Sequence, residues 1–429
     1  AYISGAGAST SGPVGFMDMF DAMCRTVSSA GGRRGAQMAT FDVSHPDILE
    51  FITAKREPGR LRQFNLSVLV SDAFMLAVEG NAPWDLVFPT KCLKEGKRYI
   101  YKQWPLADGY VRDSQGNTAC EVYQTIPARD IWKAIMQSNY DFAEPGVLFI
   151  DEINRMNPLG SSESIRATNP CGEQPLPPYG SCLLGSIDLT KFAIPGGFID
   201  IEKLKQVTAV FTRFLDNIVD INGLPLGQQR DAIKHTRRHG MGFFGLGSVL
   251  AMGNMRYGDE KSVELTKSIT RDIAVTGWET GVKLAKEKGV APALLTMPER
   301  VKFVQSPYMQ SLPKWIRDGI MDFGCRFTHH TSIAPTGTIA LSLGNNASNG
   351  IEPSFSHMYY RNVLIPGKNT KKRVEVHSAE SLMNPNCTLI DASEVTPTEH
   401  LNIQAAAQRY IDSAISKTIN VASDIDIEE

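Results

Sequence analysis

The feature that most limits the fold of this chain is a repeated succession of short apolar strands and amphipathic helices. Residues 63–70, QFNLSVLV, alternate as a strand does. GVLFID (146–151) is an apolar run of buried-strand type, and CLLGSIDL (182–189) is a further strand candidate. HTSIAPTGTIALSLG (330–344) reads as a strand, a Pro-Thr-Gly turn and a helix start. Helical patterns cover 14–30, 45–56, 128–143, 202–220, 243–253, 260–288 and 398–418. Residues 81–128 read as short strands and turns. Strands alternating with helices predict an α/β fold with much parallel pairing. No linker or internal repeat divides the chain, so one large domain is the simplest expectation.

Composition narrows the function classes. Of 429 residues, 42% are hydrophobic and 21% charged, enough to bury a large core. A net charge of −2 gives no bulk attraction for nucleic acid or an anionic membrane. No apolar run approaches the roughly eighteen residues of a membrane span. No signal peptide is visible at the start. Seven scattered cysteines in so long a chain do not resemble a secreted disulfide framework, so a reducing cytoplasm is expected.

The chemistry-bearing stretch is ATNPCGEQPLPPYGSC, residues 167–182. Pro170 and Gly172 preset a tight backbone around Cys171. If the segment is locally extended, Asn169, Cys171 and Glu173 project to one side, placing an amide, a thiol and a carboxylate together. The amide donates and accepts hydrogen bonds, and the carboxylate can serve as base or acid. The residues alone equally allow an ordinary loop in which Asn caps, Glu faces solvent and Cys packs.

Other signals are weaker. PTGT (335–338), between a strand and a helix, has a phosphate-site geometry without the lysine of a P-loop. A capped helix start explains it as well. Arg33 and Arg34 in a glycine-rich loop fit solvated surface charge. Gly240, Gly242 and Gly245 have dinucleotide-loop spacing, but the preceding IKHTRRH is basic rather than an apolar strand, so no such site is expected. His235 and His239 lack the Glu of a zinc-binding HExxH helix, and no metal site is expected. His329 and His330 read as solvated or packed, and Cys24, Cys325 and Cys387 as core residues.

Several long stretches, in order, resemble ribonucleotide reductases, most of all the adenosylcobalamin-dependent class. These are SGPVGFMDMFDAM, GGRRGAQMATFDVSHPDILEFI, QFNLSVLVSDAFM, GVLFIDEINRMNP, NPCGEQPLPPYGSCLLGS, RRHGMGFFGLG and IAPTGTIALSLGNNASNGIEP. The resemblance implies a ten-stranded α/β barrel of the ribonucleotide reductase and glycyl radical enzyme type, with a central finger loop near 167–182. Residues 1–45 would hold the effector loops and dimer interface, and 46–429 the barrel core. It implies that Cys171 becomes a thiyl radical, that Glu173 removes the 3′-hydroxyl proton and that Asn169 holds Glu173 and the sugar. Cys182 would be one half of the reducing dithiol. Pro335, Thr336, Gly337, Thr338 and Ile339 would bind substrate phosphates. Ser9, Ser11, Gly12, Gly32, Arg33, Arg34 and Gly35 would belong to loops reading a dNTP or ATP effector. A homodimer and a thioredoxin-type reductant acting through a C-terminal tail are also implied.

Against that pattern, Cys24, Cys92 and Cys120 do not match the strand bearing the first redox cysteine, and there is no CxxC. Both ends therefore read as cut, with the partner of Cys182 expected before Ala1. Alternative readings are a large subunit whose radical comes from a separate metal-containing subunit, and a non-catalytic nucleotide-binding fragment.

Overall fold

The structure, a computed structural model, describes every residue except 1, 4–7, 28–34, 105–107, 182, 195–197, 366–367, 369, 385, 388, 422–424 and 428–429. The chain forms two compact units, residues 1–153 with 426–429, and residues 154–425.

The first unit is built on three parallel strands, Gln37–Asp42, Phe64–Val70 and Gly146–Phe149, with Phe64–Val70 in the centre. The central strand is nearly all buried, as its apolar run requires. Ser71 follows it directly and caps helix Asp72–Glu79 by accepting the Phe74 N–H at 3.2 Å. Residues 81–128 include the antiparallel sheet Pro83–Pro89, Thr118–Pro127 and Tyr99–Lys102. Helix Gly12–Val27 buries Val14 and Met17 in the core of this unit. Its other side exposes Phe16, Met19, Phe20, Met23 and Val27. These positions recur three and four apart and form one apolar stripe.

In the second unit Leu183–Asp188 pairs in parallel with His239–Phe244. Parallel bridges continue the array from Met241 to Thr331 and from Ile333 to Ile415. Leu204 and Leu215 of helix Ile201–Ile221 and Ile269 and Ile273 of helix Glu260–Lys288 pack in one core with Met241, Phe243 and Ile333. Among the described residues no helix is long and apolar enough to cross a membrane.

Two stretches differ from their sequence expectation. The helical pattern at 243–253 begins instead with the end of a fully buried strand, and the helix itself is Leu246–Met252. The glycines of that strand are there for close approach. A Cβ on Gly242 would sit 2.2 Å from the Ser332 carbonyl oxygen, and one on Gly240 2.6 Å from Gln174 Nε2. The expected helix at 398–418 ends at Gln408. Ile411 and Ile415, four apart, imitate a helical face, but the chain after Tyr410 runs beside the strand at 331–333.

A buried ion cluster ties the helices of this unit to its strands. Asp216, fully buried, accepts Arg237 Nε at 2.9 Å, Lys288 Nζ at 2.6 Å and Arg326 Nε at 3.1 Å. Burial pushes its carboxyl up, but the bonds from Lys288 and Arg237 outweigh it, so the pKa lies below the usual 3.8.

Candidate active site

Ala167–Thr168 and Pro175–Leu176 pair antiparallel, making residues 169–174 the tip of a hairpin. The tip is a turn rather than an extended run. Gly172 N donates to the Asn169 carbonyl at 3.0 Å, with Pro170 presetting the bend and Gly172 at φ +83°. Asn169 closes the hairpin: its N–H donates to the Gln174 carbonyl at 3.1 Å, and its Oδ1 accepts the Gln174 N–H at 2.9 Å. Its side-chain oxygen thus fixes the turn. Strand alternation therefore does not govern these side chains. Cys171 stands exposed on the turn, whereas Glu173 is only 2% exposed. Glu173 Oε2 and both polar atoms of the Gln174 amide are buried without a hydrogen-bond partner among the described residues. A buried, unsatisfied carboxylate oxygen is costly unless a ligand completes it.

The hairpin is held from three directions within its unit. The Glu173 carbonyl accepts both Ser332 Oγ and Ala414 N at 3.0 Å. Arg238, 2% exposed, donates to the Pro175 carbonyl at 3.0 Å and pairs with Glu163. One guanidinium thereby joins the chain before the hairpin to the strand after its tip. Glu163 also accepts Asn157 Nδ2 at 3.0 Å, and Asn157 Oδ1 meets His329 Nε2 at 3.0 Å. Arg238, Ser332 and Ala414 were not singled out by sequence reasoning.

His239, His329 and His330 are packed in the interior, whereas His235 is exposed. His239 Nε2 and His330 Nδ1 lie 2.9 Å apart beside Trp278 and Phe327. Burial lowers His239 to about 4 and takes His329 and His330 well below the ordinary value, so the rings are neutral near pH 7. Asp412 Oδ2 accepts the backbone N–H groups of His330 and Thr331 at 2.8 and 2.9 Å. Burial pushes its carboxyl up to about 7 despite those bonds. Cys325 and Cys387 are buried as expected, while Cys24 is half-buried on helix Gly12–Val27.

The expected phosphate loop leads into helix Gly337–Ser342. Thr336 has φ +57°, and its Oγ1 accepts Gly350 N at 2.8 Å, bracing the turn. Gly337 and Thr338 line a cavity of 930 Å³, within the range of small-molecule sites. Of the expected effector residues, Ser9 lies in the Ala8–Ser9 strand, Ser11 precedes the helix and Gly12 opens it at φ +67°. Gly35 leads into the strand at Gln37. Gly32, Arg33 and Arg34 lie outside the described residues, as does Cys182.

One α/β unit thus carries a thiol on a braced turn, a buried carboxylate two residues on and a polar cavity. The family described as ribonucleotide reductase, barrel domain, matches residues 1–429, and the chain belongs to it. Its fold class is the α/β barrel of that family. The vitamin B12-dependent ribonucleoside-diphosphate reductase of Mycobacterium tuberculosis (strain ATCC 25618 / H37Rv) is 34% identical over 454 residues, covering 100% of this chain and 57% of that protein. The protein of the same name from Thermoplasma acidophilum is 33% identical, covering 98% of this chain and 51% of its own length. The ribonucleoside-diphosphate reductase large subunit of Monkeypox virus is 28% identical over 85% of this chain and 48% of its own. The chain thus spans a little over half the length of the B12-dependent relatives.

Proposed function

We propose that this chain is the catalytic part of a cobalamin-dependent ribonucleotide reductase that converts ribonucleoside diphosphates to 2′-deoxyribonucleotides. The observation that carries the reading is the unpartnered, buried Oε2 of Glu173, two residues from the exposed thiol of Cys171. A carboxylate so placed is ready to take a hydroxyl proton from a sugar that shields the site from water.

The division of labour follows from the residues. Cys171, as a thiyl radical, removes the 3′ hydrogen. Glu173 takes the 3′-hydroxyl proton, and Asn169 keeps the turn closed so that thiol and carboxylate keep their spacing. The 2′-hydroxyl leaves as water, and two electrons come from a dithiol that ends as a disulfide. Cys182 is assigned to that dithiol from the family pattern. A bound cobalamin, in its adenosyl form, would supply the oxidising equivalent at Cys171. An exposed thiol on a turn fits that contact. A fully buried thiol such as Cys325 does not. The loop Pro335–Ile339 takes the substrate phosphates. Effector binding by the loops of residues 1–45 couples to the site across a homodimer. The exposed stripe Phe16, Met19, Phe20, Met23 and Val27 is the face a second copy would cover. A thioredoxin-type protein re-reduces the dithiol.

Greater identity and coverage in the B12-dependent relatives favour this reading over a large subunit served by a separate metal subunit. The test is chromatographic. The full-length protein incubated with a ribonucleoside diphosphate, adenosylcobalamin and dithiothreitol should form deoxynucleotide, and its Cys171→Ala variant should form none. Product from Cys171→Ala, or none from the unaltered full-length protein, overturns the assignment.

A further inference from the structure

The cavity at Gly337 and Thr338 has a second wall that the phosphate loop does not explain. That wall is the antiparallel hairpin Met358–Leu364 with Lys371–His377. Its base is fixed to the turn after the phosphate loop: Tyr359 Oη donates to Asn346 Oδ1 at 2.9 Å, and Asn346 Nδ2 donates to the His377 carbonyl at 3.0 Å. Tyr359 and Arg361, two apart on the strand and so on one face, both line the cavity.

Charge singles out Arg361. Among the lining residues only Glu352 and Arg361 are charged. Glu352 is neutralised, being paired with Lys417 and accepting Thr418 N at 2.6 Å. Arg361 has no hydrogen-bond or ion-pair partner among the described residues. The remaining lining is rich in hydroxyls and amides, among them Thr338, Ser342, Asn349, Ser354 and Asn420. A cavity walled by neutral donors with one uncompensated guanidinium is matched to an anion with several oxygens. Lys372, paired with Val363, shares the face of Arg361 but does not line the cavity, whereas Arg373 faces the other way. Arg373 lies 4.0 Å over the ring of Tyr360, on the opposite face of the strand pair.

We propose that Arg361 binds the diphosphate of the substrate in the cavity that Gly337 and Thr338 also line and sets selectivity for phosphorylated over unphosphorylated nucleosides. This rests on the reading of the cavity as the substrate-phosphate site. Arg361 is exposed, so its replacement leaves the fold intact.

The experiment is titration calorimetry of the chain with a ribonucleoside diphosphate and with the parent nucleoside. Arg361→Ala should weaken the diphosphate on the order of tenfold, about 1.4 kcal/mol, and leave the nucleoside unchanged. Arg361→Lys should recover part of the loss, and Arg361→Glu should weaken it further. Arg373→Ala, a control of equal charge, should bind like the unaltered chain. Unchanged diphosphate affinity in Arg361→Ala, or an equal loss in Arg373→Ala, overturns the role of Arg361 alone. If the unaltered chain binds the diphosphate no better than the nucleoside, the phosphate-site reading falls and this role with it.

Discussion

Arg238 donates from Nη1 to the carbonyl of Pro175 at 3.0 Å, and through its pair with Glu163 it spans both ends of the hairpin that presents Cys171 and Glu173. Removing the guanidinium releases the strand that follows the tip and strands the Glu163 carboxylate. Arg238→Met should lower kcat by about a hundredfold, the scale of a displacement near 1 Å, with little change in KM. Steady-state kinetics checks the split. Alkylation of Cys171 by iodoacetamide should quicken as the turn loosens. A change in KM alone would show that the clamp does not position the reacting groups.

Asp216 carries a different burden. It is the shared acceptor of Arg237, Lys288 and Arg326. Asp216→Ala leaves Arg237, Lys288 and Arg326 only the more exposed Asp220 carboxylate as partner and should cost about 3 kcal/mol of stability. Urea unfolding followed by circular dichroism measures it. A loss under about 1 kcal/mol would mean that solvent compensates the cluster.

The pH profile of stability has two opposing contributors. His239 and His400 are lowered to about 4, mainly by burial, so their contribution is lost as pH falls from 6.5 through about 4. Asp412 is raised to about 7, so its contribution is full below 3.8 and lost as pH rises through about 7. The histidines outnumber it, with His329 and His330 acting in the same direction, and the chain should lose stability on acidification. Asp412→Asn removes the opposing contributor. Relative to the unaltered chain, its Tm should be more favourable at pH 8 than at pH 5. Calorimetry at the two pH values decides, and a constant difference would contradict the shift.

The stripe on helix Gly12–Val27 tests self-association. Phe20 and Met23 are exposed while Val14 and Met17 are buried. Phe20→Lys with Met23→Glu should give a monomer in analytical ultracentrifugation at concentrations where the unaltered chain is dimeric. The Tm of the monomer should be nearly unchanged, because these side chains do not enter the core. A dimer that persists would place the interface elsewhere.

The sequence was most legible where local signals act alone. The 29-residue helix Glu260–Lys288 begins at its Asp259 cap and stops before Gly289, as the pattern predicts. The turn of the hairpin was legible as residue types, because Pro170 and Gly172 mark it. Its geometry was not, since Asn169 bonds to Gln174 and replaces an extended run with a closed turn. The strand His239–Phe244 was hidden because its glycines answer to Ser332 and Gln174, which are distant in sequence. The segment after Gln408 was hidden for the same reason. Its partners, Thr331 and Glu173, become neighbours only in the folded chain.

The Glu173 carbonyl accepts one hydrogen bond from Ser332 and one from Ala414, and Arg238 grips the adjoining strand. All three anchors lie downstream of the hairpin. During synthesis the hairpin therefore leaves the ribosome well before anything that holds it, since translation delivers the chain from the N-terminus. The thiol is chemically present early but seated late. A growing chain can shape the turn at Asn169–Gly172 by itself, yet the Glu173 backbone gains its last anchor only when residues near 414 have emerged. Under the proposed function, a chain that ends before residue 414 should therefore lack a seated site.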